Sequence, residues 1–160
     1  MHLQIAAVFA TLLALAQAAP TTQSLNANSP GVIFVQSTSN AMIDDCGDST
    51  FENQTSDASP LVSDCQQITR NIAGGGTWEV EDFGGQHQLV QYGTCAFGVT
   101  GDKSINGFYV GNSDIIDLIN DSISRYNWNG KVGSKGSMGC QSLTGLMGGV
   151  TVTWGLYHTS

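Results

Sequence analysis

Four cysteines (Cys46, Cys65, Cys95 and Cys140) follow an N-terminal apolar run, and this combination limits the chain more than any other feature. Residues 3–18 are largely apolar and end in Ala16-Gln17-Ala18, the small-x-small pattern of a signal-peptidase site. The run falls short of the ~20 residues a membrane span needs, and Pro20 with polar Thr21, Thr22 and Gln23 follows it. It therefore reads as a signal peptide, residues 1–18, and stable membrane insertion is not expected. An even number of cysteines exported to an oxidising compartment reads as two disulfides. No pair has C-x-x-C spacing and no histidine lies near a cysteine, so neither a metal site nor a cofactor is expected. In a 160-residue chain, enough for one domain, each bridge stabilises by roughly 2–4 kcal/mol.

Residues 19–44 are rich in Thr, Ser, Asn and Gln around one apolar run at 32–35 that reads as a short strand or a remnant of processing, and the flanking composition reads as a loosely ordered polar leader. Residues 45–158 then form a single domain. Its first helix has Ser59 suited to the N-cap and Pro60 to the first turn. Leu61, Cys65, Ile68 and Ile72 make its apolar stripe, and Gly74-Gly75-Gly76 stops it. Alternating runs at 77–83, 87–92, 94–100 and 106–110 read as strands joined by glycine turns, which favours antiparallel pairing. A second helix starts near Asn112 or Ser113 and ends before Asn127-Trp128-Asn129-Gly130. Residues 131–149, rich in glycine and serine, read as a loop. Val150, Val152, Trp154 and Leu156 alternate with Thr151 and Thr153 in a half-buried strand. The expected class is α+β: a small α/β sandwich, an antiparallel sheet with two helices packed on it and disulfides holding it.

Four cysteines admit three connectivities, and spacing does not choose among them. Cys65 on the helix stripe and Cys95 on a core-facing strand position favour a Cys65–Cys95 bridge, leaving Cys46–Cys140.

The formal charge is −8, from 13 acidic and 5 scattered basic residues, which argues against a nucleic-acid partner. Paired carboxylates occur at Asp44-Asp45, Glu79/Glu81 and Asp114/Asp117, but a solvated strand face accounts for Glu79 and Glu81 more simply than glycosidic catalysis. His87 reads as an exposed strand-end residue and His158 as part of a frayed terminus, and no Gly-x-Ser-x-Gly elbow is present. No catalytic residue is assigned. Two N-glycosylation sequons occur, Asn53-Gln54-Thr55 in a loop and Asn120-Asp121-Ser122 within the second helix, where use is less favoured. Trp78 and Trp154 fall on core-facing strand positions. Trp128, in a turn between asparagines, is the candidate exposed recognition residue.

The run from Asp45 to Phe51, Ser63-Asp64-Cys65, Tyr92-Gly93-Thr94-Cys95, then the segments 110–115 and 133–140, together resemble the fungal secreted necrosis-inducing-factor effectors. The likeness covers about residues 45–140. It implies a secreted, killer-toxin-like effector domain acting outside the cell, in the host apoplast where the host is a plant. Such a protein triggers or modulates cell death or defence by binding a host protein, receptor or cell-wall component. A killer-toxin-like action on competing microbes and binding of cell-wall glycan are the alternatives it leaves open.

Overall fold

Alternation in the strands and periodicity in the helices converge on one core, and the computed structural model describes residues 29–81, 84–102, 107–145 and 149–159 of it. The proposed signal peptide lies outside the described residues. Nine strands and two helices follow in the order β1 (Val32–Gln36), β2 (Cys46–Ser49), β3 (Glu52–Asn53), α1 (Val62–Asn71), β4 (Gly76–Val80), β5 (His87–Tyr92), β6 (Cys95–Gly101), β7 (Phe108–Gly111), α2 (Asn112–Tyr126), β8 (Ser134–Cys140) and β9 (Val150–His158). The class is α+β. All strand pairs are antiparallel, and they divide into two sheets. One runs β1-β4-β7 and the other β2-β8-β9-β6-β5, with β3 alongside β8. Both sheets and both helices contribute to a single cluster of buried side chains.

The expected final strand sits at the centre of the larger sheet. β9 lies between β8 and β6, with Val150, Val152, Trp154 and Leu156 buried and Thr151 and Thr153 exposed. Trp154 stacks on Phe97 at 6.0 Å, meets Phe51 edge-on at 5.2 Å, and donates its indole N–H to Ser49 Oγ at 2.7 Å. Its polar atom is thus satisfied inside the core, as burial of an indole requires.

Three stretches differ from the sequence reading. Residues 32–36, assigned to the loose leader, form β1 and pair residue by residue with β4, Val32 opposite Val80 and Gln36 opposite Gly76. This part of the leader belongs to the sheet. Residues 46–53, read as a loop, contain β2 and β3, and the glycine-serine stretch contains β8. β8 buries Ser134, Gly136, Met138 and Cys140 while exposing Lys135 and Gly139. Its period of two is genuine, but small residues carry it and a hydrophobicity pattern does not register them. Gly136 is required there, because a Cβ would collide with the Thr50 carbonyl oxygen.

The start of α1 is also different. Leu61, not Ser59, occupies the N-cap position and makes no side-chain cap. Ser59 Oγ instead accepts from Ser56 N at 2.9 Å, closing the loop before the helix. Asp64 turns outward from the helix: its Oδ2 accepts from Thr94 N at 2.8 Å and Thr94 Oγ1 at 2.7 Å. The next residues, Cys65 and Cys95, are bridged with Cα atoms 5.3 Å apart. Helix and β5–β6 turn are therefore joined twice in succession, once by hydrogen bonds and once covalently. The second bridge joins Cys46 to Cys140, which face each other in the β2–β8 ladder.

Candidate recognition surface

Two places gather the residues that sequence reasoning singled out: a corner built around Trp128, and an acidic cleft between the β2 segment and α2.

The corner starts from a two-residue turn. Asn129 and Gly130 both have positive φ, 50° and 75°, which is the requirement of the hairpin turn that asparagine followed by glycine favours. Trp128 and Lys131 flank it and exchange both backbone hydrogen bonds at 2.9 Å. Lys131 also bridges to Leu61 on its other side, secured by Val62 N to Gly130 O at 2.9 Å and Val132 N to Pro60 O at 3.1 Å. Directly opposed residues of an antiparallel ladder project to the same face. Leu61, Lys131 and Trp128 therefore form one row. Trp128 is 49% exposed and Leu61 43%, while Trp78 and Trp154 are buried. The Lys131 ammonium donates to the Asp57 carbonyl, and Leu61 N donates to Thr94 Oγ1 at 3.0 Å. The apolar pair is thus exposed on a backbone with little freedom to move.

The cleft, of about 280 Å³, is walled by Asp44, Asp48, Asp114, Asp117 and Asp121 over Phe51, Leu118 and Met138. Asp114, at the third helical position of α2, reaches back to the N–H of Gly111 at 2.8 Å. It also accepts from Asp45 N at 3.0 Å and Cys46 N at 3.3 Å. Asn112, fully buried, accepts from Ile43 N at 2.8 Å and donates to Ile72 O at 3.0 Å. The N-terminus of α2 thus straps down residues 43–46 and closes the last turn of α1. Gly111 has no alternative, since a Cβ there would collide with Ile43 O. The sequence placed Asp114 in the first turn of the second helix and in a carboxylate pair with Asp117; its strap partners Asp45 and Cys46 lie 69 and 68 residues away and left no local signal. Among the described residues no cluster of His, Cys, Asp and Glu has metal-binding geometry.

Burial pushes the Asp114 carboxyl up from 3.8 to about 7; Asp44 beside it adds to the rise, and the N–H donors of Asp45 and Gly111 oppose it. A carboxyl whose folded pKa exceeds its unfolded value contributes stability in full below the unfolded pKa, and that contribution is lost as pH rises through the folded one. Denaturant midpoints are therefore expected to fall as pH rises from about 4 to about 7. Asp114→Asn should flatten this slope, costing about 1–3 kcal/mol at low pH and less as pH rises toward 7, because the amide NH2 cannot accept from the N–H groups that a carboxyl oxygen accepts from. An unchanged slope in the variant would refute the assignment.

The remaining candidates are dispersed. Glu79 lies on the outer face of β4, opposite the buried side of Trp78 and Val80 and paired to Ile33 and Tyr109, and Glu81 is exposed just beyond the strand. His87 is buried, not exposed, and its Nε2 has no hydrogen-bond partner among the described residues; the strand phase turns it inward beside Leu89. His158 is not frayed but pairs with Cys95 at the end of β9. Asn53 is exposed in β3, and its sequon partner Thr55 is anchored by its hydroxyl to Tyr126 O at 3.0 Å. Asn120 is exposed on α2, but its partner Ser122 is fully buried and bonded to Leu118 O and Ser134 Oγ, each at 2.6 Å.

Helix, bridges and strap together define a small disulfide-pinned α+β domain. Residues 45–140, 96 of the 160, match the family described as "Pathogen effector; putative necrosis-inducing factor", and the chain belongs to that family. It is 43% identical over 118 residues to "Probable chitinase LysM18" of Penicillium expansum, a match covering 70% of this chain and 8% of that protein. It is 35% identical over 100 residues to "Secreted chitinase LysM12" of the same fungus, covering 58% of this chain and 6% of the other. The chain thus spans less than a tenth of the length of these relatives. β1 and β9, which complete the two sheets, lie outside the family match. No helix among the described residues is long and apolar enough to cross a membrane.

Proposed function

We propose that the protein is a secreted, extracellular effector that triggers or modulates cell death or defence in a host, and that it does so by binding rather than catalysis. The observation that carries the reading is the Trp128 corner. A tryptophan and a leucine remain half exposed on a hydrogen-bonded turn, where they contribute little to the core and much to a partner's contact. The family supports the effector role, and Asn53, exposed in β3, suits glycosylation during secretion. The partner is a host protein or receptor that buries the row Leu61, Lys131 and Trp128.

Trp128→Ala is the direct test. Its unfolding free energy should stay within about 0.5 kcal/mol of the parent, as for most exposed positions. The response of infiltrated host tissue to the purified, oxidised protein should fall by tenfold or more in dose, the loss of about 1.4 kcal/mol or more in binding. A full response from the reduced, unfolded chain would defeat the proposal. So would undiminished potency in the variant. Action on competing microbes is the second reading; growth inhibition of fungi or bacteria without any host response would favour it.

A further inference from the structure

The outer face of the larger sheet has a feature that neither core packing nor the Trp128 corner uses. Antiparallel pairing places Gly98 of β6 directly beside Gly155 of β9, with Gln88 of β5 and Lys135 of β8 at the two ends of the row. Two adjacent glycines leave a shallow bed in the sheet. Tyr157 fills it. A Cβ at Gly155 would lie 3.7 Å from Tyr157 Cδ1, and one at Gly98 would lie 2.9 Å from its hydroxyl. The ring therefore runs across the strands from one glycine to the other. One side rests on backbone and the other faces outward, in keeping with its half-buried state. Its hydroxyl reaches Gln88 Oε1 at 3.5 Å, and Gln86 Nε2 sits over the same glycine. Burial pushes the phenol pKa up, so the ring stays neutral.

The surroundings are neutral too. The next row carries hydroxyls, Thr153 paired with Ser137 and with Thr100, and Ser137 Oγ lies 3.1 Å from Thr50 Oγ1. Lys135 is neutralised by Glu52 at 3.2 Å. On a chain of charge −8, this uncharged face stands apart from the acidic cleft. A flat aromatic face bordered by hydroxyls and amides complements a pyranose ring, whose C–H face stacks while its equatorial hydroxyls and substituents bond at the edge. The absence of free cations on the described part of the face gives a polyanion nothing to pair with. At the ring's edge the exposed Gln86 amide matches an acetamido group, donor to acceptor in both directions, while Gln88 is held by Tyr157 and, through its Nε2, by Gln91 at 2.8 Å.

We infer that the Tyr157 face is a binding platform for a neutral, β-linked glycan bearing acetamido groups, that is, for chitin. The inference rests on the reading of the chain as a secreted binding protein and adds a second ligand to it.

The test uses the full secreted chain with both disulfides intact, retained on chitin beads and titrated with chitohexaose by calorimetry. Retention is expected, with a roughly tenfold loss of affinity in Tyr157→Ala and less than about threefold in Tyr157→Phe. Trp128→Ala should bind chitin as the parent does. Unfolding midpoints of each variant separate loss of the ring from loss of the fold. Failure of the folded parent to bind chitin, retention on β-1,3-glucan only, or undiminished binding by Tyr157→Ala would each overturn the inference. The host-response assay on the same preparations keeps the two readings apart. A response without chitin binding removes the platform alone, and chitin binding without response in any host removes the effector role alone.

Discussion

A chain ended after Gly149 is expected not to fold. It keeps residues 45–140, all four cysteines and both helices, yet it lacks β9. That strand is the sole link between β8 and β6, so its loss divides the larger sheet into two unpaired halves. Four buried side chains go with it: Val150, Val152, Trp154 and Leu156. At about 1.5–3 kcal/mol for each aliphatic side chain and about 3–5 for a buried tryptophan, the loss rivals the 5–15 kcal/mol by which domains are stable at all. A truncated chain with native near-ultraviolet circular dichroism and a cooperative unfolding transition would show this account to be wrong. Truncation after His158 is the control, and it should remain folded, losing chiefly the bond from Thr159 N to Thr94 O.

The second large effect concerns the long-range bridge. Replacing Cys46 and Cys140 together by serine should cost about 4–5 kcal/mol, against about 3–4 for Cys65 and Cys95, measured by denaturant unfolding. The difference comes from the unfolded chain. The first bridge spans 94 residues and the second 30, and a longer loop loses more entropy on closure. The native partners of Cys46 survive the change, since its N–H still bonds Asp114 and its ladder with β8 persists. The bridge nearer the helix has a similar backup in Asp64 and Thr94. A smaller loss for the long-range pair than for the short one would rule out the entropic account. Host activity should fall with the folded fraction in both pairs.

The degree to which the chain declared its fold depended on side-chain size. α1, α2, β4, β5, β6, β7 and β9 were visible because large apolar residues mark their buried faces with a period of 3.6 or 2. β8 was invisible because its buried positions include Ser134 and Gly136, which pack closely and score as polar or neutral. β1 was visible as an apolar run, Val32-Ile33-Phe34-Val35, but was not recognised as part of the domain because polar residues flank it on both sides. Its membership depends on β4 offering a free edge, which is a property of the sheet. The candidate site divides in the same way. The asparagine-glycine turn beside Trp128 is local chemistry and was readable. The companionship of Leu61 is not, for it comes from a bridge between residues 61 and 131.

Sequence alone determined the class of protein: a chain with two disulfides, helices and antiparallel strands at most of their observed positions, and one tryptophan in a turn. These properties are local, set by neighbours within a few residues and by the contrast between water and an apolar interior. Tertiary structure decided the rest. It placed β9 at the centre of the sheet, made Asp114 the anchor of the strap from Ile43 to Cys46, turned His87 inward, and laid Tyr157 flat on two glycines from different strands. Each of these depends on backbone groups or empty space far away along the chain, and no single stretch of residues encodes it.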